Sequence, residues 1–216
     1  LNFQDEASQL VSILAGPPAG GSVLDLCAGA GVKSTHLAEI MGNSGRILAV
    51  DINAKKLKAL GELAGRHGVN IIECRVADVS RDLGREFHAS FDLVLVDAPC
   101  SGTGTLRRNP EIKWRLSPSE VGRLTGLQKK IIMSAPACLK EGGSLFYSTC
   151  SVLPDENEGV IADFRAAHPE FRVRGIFPGG ISGGDGFFRT RPDMHGMDGF
   201  FGALLSADKG KKARPD

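Results

Sequence analysis

Short apolar runs alternate with polar, glycine-rich stretches along the chain. Because a parallel strand covered on both faces is almost continuously apolar, these runs are predicted as buried strands. The predicted strands span residues 22–26, 45–50, 71–76, 91–96 and 143–149. Segments with helical periodicity separate them, and strands that alternate with helices indicate a parallel sheet. We therefore predict an α/β fold built on a doubly wound, mostly parallel sheet.

Capping residues mark where several of the helices begin. Asp5 is expected to cap a helix over residues 6–14, and Asn53 to cap a helix that ends near Gly68. The other predicted helices span residues 33–41, 119–139 (starting at Ser119, with a kink expected at Pro136) and 154–168. Residues 200–205 are predicted to return as a strand antiparallel to the others.

The length and composition fit one domain of catalytic type. A chain of 216 residues with 42% hydrophobic residues can bury a substantial core. We assign residues 1–206 to this domain and residues 207–216 to a disordered, charged tail. No apolar run approaches the roughly 20 residues needed to span a bilayer, and the N-terminus lacks the features of a signal peptide. We therefore expect a monomeric cytoplasmic protein with no membrane partner.

Charge and cysteine content limit the possible ligands only in part. The formal net charge is +1, so any basic surface must be local. The five cysteines show no CxxC or Cys/His spacing, which argues against a metal site, and their odd number favours a reducing compartment. Cys74 and Cys138 lie within apolar runs and are expected to be small buried hydrophobic residues.

A glycine turn follows the first predicted strand. Gly29 and Gly31 allow a ligand to approach the backbone closely and expose the N-terminal amides of the next helix. Asp51 and Asp78 end the second and third strands, and a carboxylate beyond the second strand accepts hydrogen bonds from ribose hydroxyls in dinucleotide folds. A GxG turn alone also packs many α/β helices without a ligand. Together with the two carboxylates it predicts a nucleoside cofactor.

Two cofactor types fit this pattern, a dinucleotide or S-adenosylmethionine. The dinucleotide fingerprint GxGxxG needs a third glycine or an alanine where this chain has Ser34. S-adenosylmethionine has no pyrophosphate and fits better. The predicted cofactor-binding residues are Cys27 (through its backbone), Ala28, Gly29, Ala30, Gly31, Val32, Lys33, Asp51, Asp78 and Asp97.

Two further cysteines lie in polar loops at the ends of predicted strands. Cys100 follows the fourth strand together with Asp97, and Cys150 follows the fifth. Ligands of open α/β sheets bind outside the carboxyl ends of the strands. A thiolate is well suited to add to an electron-poor ring carbon, and a disulfide between the two cysteines is the alternative, disfavoured in a reducing compartment. From the residues alone, either thiol can be the nucleophile.

Four stretches of the chain resemble those of the RNA 5-methylcytosine methyltransferases of the Sun (Fmu) and NSUN group. They are Asp97-Ala98-Pro99-Cys100-Ser101-Gly102-Thr103-Gly104, Arg107-Arg108-Asn109-Pro110-Glu111-Ile112-Lys113-Trp114, Tyr147-Ser148-Thr149-Cys150-Ser151 and Glu156-Asn157-Glu158. The resemblance runs from about residue 4 to residue 205. It implies a Rossmann-like class I methyltransferase domain that methylates C5 of a cytosine in structured RNA, with bacterial ribosomal RNA as the expected substrate.

The resemblance also implies roles for individual residues. Cys150 is implied as the nucleophile that adds to C6 of cytosine, and Cys100 as the residue that assists the later elimination. Asp97 is expected to hydrogen-bond the polar edge of the base and to share a proton with N3. Lys33 is expected to orient Asp97 or the base, with a solvated lysine in the first turn of a helix as the alternative.

The chain departs from the family pattern in the glycine turn. The family usually has Ala-Ala-Pro-Gly-Gly-Lys-Thr, whereas this chain has Ala28-Gly29-Ala30-Gly31-Val32-Lys33-Ser34. The GxG turn remains, but the shape of the loop is expected to differ. The family also commonly carries an RNA-binding domain ahead of the catalytic one, and we expect such a domain outside this sequence.

A basic loop follows Cys100 and is the candidate RNA-binding segment. Arg107, Arg108 and Lys113 around Trp114 are predicted to hold phosphates and to stack a base, although a charge run also fits a solvated loop.

Two other functions remain open. Methylation of an amino group normally uses Asp/Asn-Pro-Pro-aromatic where this chain has Asp97-Ala98-Pro99-Cys100. A catalytically idle RNA-binding module is disfavoured by the two intact thiols.

Overall fold

The computed structural model describes residues 4–81, 83–175, 181 and 185–208. The strands are β1 (Ser22–Asp25), β2 (Arg46–Asp51), β3 (Ile72–Val76), β4 (Phe91–Asp97), β5 (Leu139–Thr149), β6 (Phe171–Val173), β7 (Phe188–Arg189) and β8 (Phe201–Ala207). The helices are α1 (Glu6–Ala15), α2 (Val32–Ile40), α3 (Ala54–Arg66), α4 (Ile112–Arg115), α5 (Pro118–Cys138), α6 (Glu158–Ala167) and α7 (Pro192–His195). The disordered tail predicted for residues 207–216 begins too early, because Ala207 is still paired in β8, and residues 209–216 lie outside the described residues.

One mixed sheet organises the fold. Its strand order is β3-β2-β1-β4-β5-β8-β6, and β7 pairs with β8. The first five strands are parallel, and β8 is antiparallel to each of its neighbours β5, β6 and β7. This confirms the predicted doubly wound α/β fold and its antiparallel strand near the C-terminus. The strand order reverses between β1 and β4, which is where open α/β sheets bind ligands.

Alternation along the parallel strands fills a core on both faces of the sheet. Val23 packs in one apolar cluster and its neighbour Leu24 in another, because successive side chains of a strand point to opposite faces. Helices cover both clusters. Among the described residues, no helix is long and apolar enough to cross a membrane.

Two of the predicted helix caps are confirmed. Oδ1 of Asp5 accepts a hydrogen bond from the backbone N–H of Ala7, and Oδ1 of Asn53 accepts one from Lys55. The start predicted at Ser119 is wrong, because α5 begins at Pro118 and Ser117 caps it through the N–H of Glu120. Proline suits the first helical position, where its missing N–H costs no hydrogen bond.

Two other expectations are corrected by the structure. Cys74 is exposed, not buried, because β3 is an edge strand of the sheet and its burial is incomplete. Cys138 is buried, as predicted.

Strand β5 begins at Leu139, directly after α5, and pairs there with Phe91 before the register shifts. Its first residues therefore belong to the sheet although the apolar run starts only at Gly143.

Candidate active site

A cavity of about 510 Å³ opens where the strand order reverses. Sites for small molecules usually have volumes of about 300–1,000 Å³. Every residue predicted to bind a cofactor lines this cavity, and so do both loop cysteines, Cys100 and Cys150. The residues that the sequence did not single out include Asp25, Ile52, Lys56, Ser80 and Leu127. The ends of β1, β2 and β4 thus meet at one site.

The glycine turn keeps its shape through two features that its sequence provides. Gly31 has φ +89°, and a Cβ added there would lie 2.2 Å from Cγ of Leu60. Gly29 has φ +56°, and its N–H donates to Oδ2 of Asp51 at 2.9 Å. The other carboxylate oxygen of Asp51 accepts from the N–H of Asn53 at 2.7 Å. Asp51 therefore fixes the turn from the end of the neighbouring strand.

Carboxylates dominate the charge of the cavity. Asp25, Asp51, Asp78 and Asp97 line it against the ammonium groups of Lys33 and Lys56. Asp25 is buried and accepts a hydrogen bond from Oγ of Ser34 at 2.7 Å. Burial raises the pKa of Asp25 to about 6, and the hydrogen bond from Ser34 opposes that rise. A cavity with this charge favours a ligand that carries a positive charge.

Lys33 and Asp97 form an ion pair at the floor of the site. Nζ of Lys33 lies 2.6 Å from Oδ2 of Asp97, and the lysine side chain is only 14% exposed. Burial alone would lower the pKa of Lys33, but the charge and the hydrogen bond of Asp97 keep this pKa above its ordinary value. Ser148, which pairs with Asp97 in the sheet register, donates its hydroxyl to Oδ1 at 2.9 Å. Lys33 is thus not solvated, and it orients Asp97.

The two loop cysteines lie side by side as free thiols. Their Sγ atoms are 3.3 Å apart, and both are partly buried. The hydrogen bond from Cys100 lowers the pKa of Cys150, and the charge of Lys33 contributes in the same direction. The same hydrogen bond, together with burial, raises the pKa of Cys100 well above its ordinary value. The structure therefore distinguishes two thiols that the sequence left equivalent, because the pKa of Cys150 is lowered and that of Cys100 is raised.

Backbone contacts fix the loop of Cys100 against the loop of Cys150. The N–H of Gly104 donates to the carbonyl oxygen of Cys150 at 2.9 Å, and the N–H of Gly199 donates to that of Gly104 at 2.8 Å. The hydroxyls of Ser101 and Thr103 reach that of Ser151 at 3.2 and 3.0 Å. The relative position of the thiols is therefore determined by several contacts between the two loops.

The residues predicted to bind RNA fall into two groups. Arg107 donates to Oδ1 of Asp198 at 2.7 Å and to Oδ2 of Asp5 at 2.5 Å, and Arg108 also pairs with Asp198. Trp114 is 82% exposed, with Nζ of Lys113 lying 5.2 Å from its ring centroid. The arginines thus have partners within the protein, whereas the tryptophan presents an open face.

No group of three or more His, Cys, Asp or Glu side chains able to hold a metal ion is found in the described part of the chain.

A mostly parallel sheet with antiparallel strands near the C-terminus and a cavity at its switch point is also found in S-adenosylmethionine-dependent methyltransferases of known structure. Residues 12–206 match the sequence model of the 16S rRNA methyltransferase RsmB/F family, and the chain belongs to that family. This confirms the resemblance inferred from the two thiol motifs, and with it the expected class of cofactor.

Individual relatives agree with this assignment. The chain is 38% identical over 214 residues to a probable ribosomal RNA small subunit methyltransferase B of Bacillus subtilis, covering 93% of this chain and 46% of that protein. It is 36% identical to a ribosomal RNA small subunit methyltransferase B of Thermus thermophilus, covering 95% of this chain and 50% of that protein. The chain thus spans about half the length of these curated relatives.

A solved structure shows the same fold. NSun6 from Pyrococcus horikoshii with SFG, an analogue of S-adenosylmethionine, superimposes with a TM-score of 0.80 at 26% identity, covering 94% of this chain and 52% of that one.

Proposed function

We propose that this domain methylates C5 of a cytosine in small-subunit ribosomal RNA, through a covalent bond between Cys150 and C6 of the base. The observation that carries the proposal is the pair of thiols 3.3 Å apart at the cofactor cavity. Lys33 and Asp97 line the same cavity. Amino-group methylation needs no thiol, so it leaves this arrangement unexplained.

The residues of the cavity suit S-adenosylmethionine. When bound, this cofactor supplies a methyl group activated by a positively charged sulfonium. The excess of carboxylates around the cavity favours that charge. The open backbone at Gly29 admits close approach of the ligand, whereas Gly31 lets the turn pack against Leu60. Asp51 is placed to accept hydrogen bonds from ribose hydroxyls.

Cys150 carries out the first step on the base. Cytosine C5 is a poor nucleophile, so the ring must first be activated. The Cys150 thiolate forms a bond to C6, and the electrons of the C5–C6 double bond move so that C5 becomes nucleophilic. The hydrogen bond from Cys100 is the largest cause that lowers the pKa of Cys150, and a lower pKa raises the fraction of thiolate available for this addition.

Asp97 and Lys33 handle the charge that develops on the ring during the addition. A proton held between the two side chains is passed to N3 as Cys150 attacks C6, so that the intermediate stays neutral. Ser148 holds the other oxygen of Asp97 and limits its rotation. The ion pair also keeps the ammonium group of Lys33 close enough to favour the Cys150 thiolate.

Cys100 completes the reaction by elimination. Its thiolate removes the proton from C5 of the methylated base, the C–H electrons restore the C5–C6 double bond, and the bond from C6 to Cys150 breaks with its electrons on sulfur. The proton on N3 returns to the pair of Lys33 and Asp97. The main cause of the raised pKa of Cys100 is its hydrogen bond to Cys150. Once Cys150 is bound to carbon, this largest cause of the raised pKa is removed, and the pKa of Cys100 falls, which favours its role as the base.

The basic loop and the exposed Trp114 provide the surface for RNA. Trp114 is accessible for stacking on an unpaired base, and Lys113 beside it can pair with a phosphate. Arg107 and Arg108 are roughly half exposed and remain candidates for phosphate contacts. A ribosomal RNA substrate would place the reaction in the cytoplasm.

The test is product analysis. The protein is incubated with small-subunit ribosomal RNA and S-adenosylmethionine carrying an isotope-labelled methyl group, and the RNA is digested for mass spectrometry of its nucleosides. We expect labelled 5-methylcytidine. Labelled N4-methylcytidine would support the amino-group alternative, and RNA binding without any labelled nucleoside would support a binding module.

A further inference from the structure

Glu156 is a buried carboxylate that the reaction described above does not use. It ends the 3₁₀ turn Pro154–Glu156, and its side chain is inaccessible to solvent. Oε1 accepts hydrogen bonds from the N–H of Ser101 at 2.8 Å and from Nε2 of Gln128 at 2.9 Å, and Oε2 accepts one from the hydroxyl of Ser101 at 2.5 Å. Burial of a carboxylate is costly without such donors, so this set of bonds is what makes the position tolerable.

The partners of Glu156 hold both neighbours of Cys100. Ser101 follows Cys100 and is bound to Glu156 through its backbone and its hydroxyl. Gln128, itself fully buried on α5, donates to the carbonyl oxygen of Pro99 at 2.9 Å as well as to Glu156. The thiol loop is therefore fixed immediately before and immediately after the cysteine.

Glu156 is in turn anchored to the strand that leads to Cys150. The hydroxyl of Tyr147, on β5, donates to the backbone carbonyl of Glu156 at 2.7 Å. The hydroxyl of Ser101 also lies 3.2 Å from that of Ser151, the residue after Cys150. Glu156 thus connects the loop of Cys100, through its carboxylate, to the strand that leads to Cys150, through its backbone carbonyl.

We propose that Glu156 is a positioning residue for Cys100, which holds this thiol where it can take the proton from C5 during elimination. The inference rests on the proposed function, because it assigns Glu156 to the step that Cys100 performs. It predicts that loss of the carboxylate impairs release of the methylated base more than formation of the bond to Cys150.

The experiment compares Glu156→Ala with the unchanged protein in the presence of substrate RNA and S-adenosylmethionine. We expect turnover to fall by at least about tenfold while single-turnover methyl transfer changes by less than about threefold. A denaturing gel should show covalent protein–RNA complex accumulating, as expected for Cys100→Ala. In Glu156→Gln the amide oxygen can replace Oε1 and the amide N–H can donate to Ser101, so release should be largely restored.

Two further variants separate positioning from folding. Gln128→Leu keeps the carboxylate but removes the donor that Pro99 and Glu156 share, so it should trap the same complex. It takes the place of Glu156→Ala as the test if that variant does not fold. Glu158→Ala is the matched control, since this carboxylate two residues away pairs with Arg189. It should release product at the normal rate.

The outcomes distinguish this inference from the function on which it rests. If Cys100→Ala traps RNA but folded Glu156→Ala releases product normally, the positioning role is overturned and the function stands. Equal loss of methyl transfer and adduct in Glu156→Ala would also overturn it, since the residue would then serve the whole site. If Cys100→Ala traps no RNA while the unchanged protein methylates it, the thiol assignment fails and the inference with it.

Discussion

At the scale of single residues, the site contains a carboxylate whose ionisation is costly. Asp25 has an ordinary pKa of 3.8, and burial raises it to about 6. Because the folded protein binds this proton more tightly than the unfolded chain, the stabilisation from Asp25 is complete below pH 3.8 and is lost as pH rises through about 6. The shift from 3.8 to about 6 corresponds to about 3 kcal/mol.

Asp25→Asn should remove this pH dependence, because the amide is neutral at every pH while it can still accept the hydrogen bond from Ser34. Relative to the variant, the unchanged protein should lose up to about 3 kcal/mol of unfolding free energy between about pH 4 and pH 7. Urea unfolding of both proteins across this range measures the difference. A difference that does not vary with pH would contradict the raised pKa.

Asp51 carries a second prediction at this scale. Its carboxylate both fixes Gly29 and is proposed to bind the ribose, so Asp51→Ala should weaken binding of S-adenosylhomocysteine by about 1–3 kcal/mol. Titration calorimetry gives the affinity directly. Glu62→Ala, on the exposed side of α3, is the control and should bind normally. Equal affinities of the Asp51 variant and the unchanged protein would remove Asp51 from the cofactor site.

At the scale of elements, the sequence predicted the long helices and the parallel strands because their periodicity and caps are local signals. It could not predict β6 and β7, which have three and two residues, since such lengths carry no periodicity. The exposure of Cys74 depends on β3 being an edge strand, which is a property of the strand order and not of the apolar run.

The difference between local signals and long-range contacts also decides which parts of the site could be predicted. The glycine turn and both thiols lie in motifs that can be read along the chain. The partners of Glu156 come from loops and a helix that are 28 and 55 residues away, so no local pattern reveals them. The different pKa shifts of the Cys100 and Cys150 thiols likewise arise from the contact between them and from the charge of Lys33. Only the folded chain brings these three residues together.

A test at the element scale uses the close approach of Gly104 and Gly199. A Cβ at Gly104 would lie 1.8 Å from the carbonyl oxygen of Gly199 and would force the two loops apart. Gly104→Ala should lower stability by about 1–3 kcal/mol and reduce turnover, because Gly104 also binds the carbonyl of Cys150.

Gly126→Ala is the matched control, since it lies in α5 with nothing within 4 Å of the added methyl group. Because alanine has a higher helix propensity than glycine, this variant should be more stable than the unchanged protein by about 0.5–1 kcal/mol. Chemical unfolding and turnover assays on both variants make the comparison. If Gly104→Ala is as stable and as active as Gly126→Ala, the loops are not held by this contact.

At the scale of the whole molecule, one ion-pair cluster ties the basic loop to both ends of the described chain. Asp198 is fully buried, and burial would raise its pKa, but Arg108 and Arg107 hold the pKa below its ordinary value. Arg107 also reaches Asp5, the cap of α1. This cluster joins segments that are more than 90 residues apart in sequence.

Two parts of the basic loop, the paired arginines and the exposed Trp114, should differ in their effect on stability while both contribute to RNA binding. Replacing Arg107 and Arg108 with alanine should lower the Tm as well as RNA affinity, because Asp198 loses its partners. Trp114→Ala should leave stability within about 0.5 kcal/mol and weaken RNA binding by about 1–3 kcal/mol. Thermal unfolding and filter binding over a range of salt concentrations test both. Unchanged RNA affinity in Trp114→Ala would show that Trp114 lies in a solvated loop and does not contact RNA.

The two neighbouring thiols are proposed to perform different steps of the reaction, and a denaturing gel distinguishes these steps. Each single variant and the double variant are incubated with substrate RNA and S-adenosylmethionine, with S-adenosylhomocysteine affinity as the check on folding. Cys150→Ala should give neither methyl transfer nor a covalent complex, because no bond to C6 can form. Cys100→Ala should methylate the base and then accumulate a covalent complex, which the double variant should lack. A complex that survives in Cys150→Ala and vanishes in Cys100→Ala would contradict the assignment and exchange the two roles.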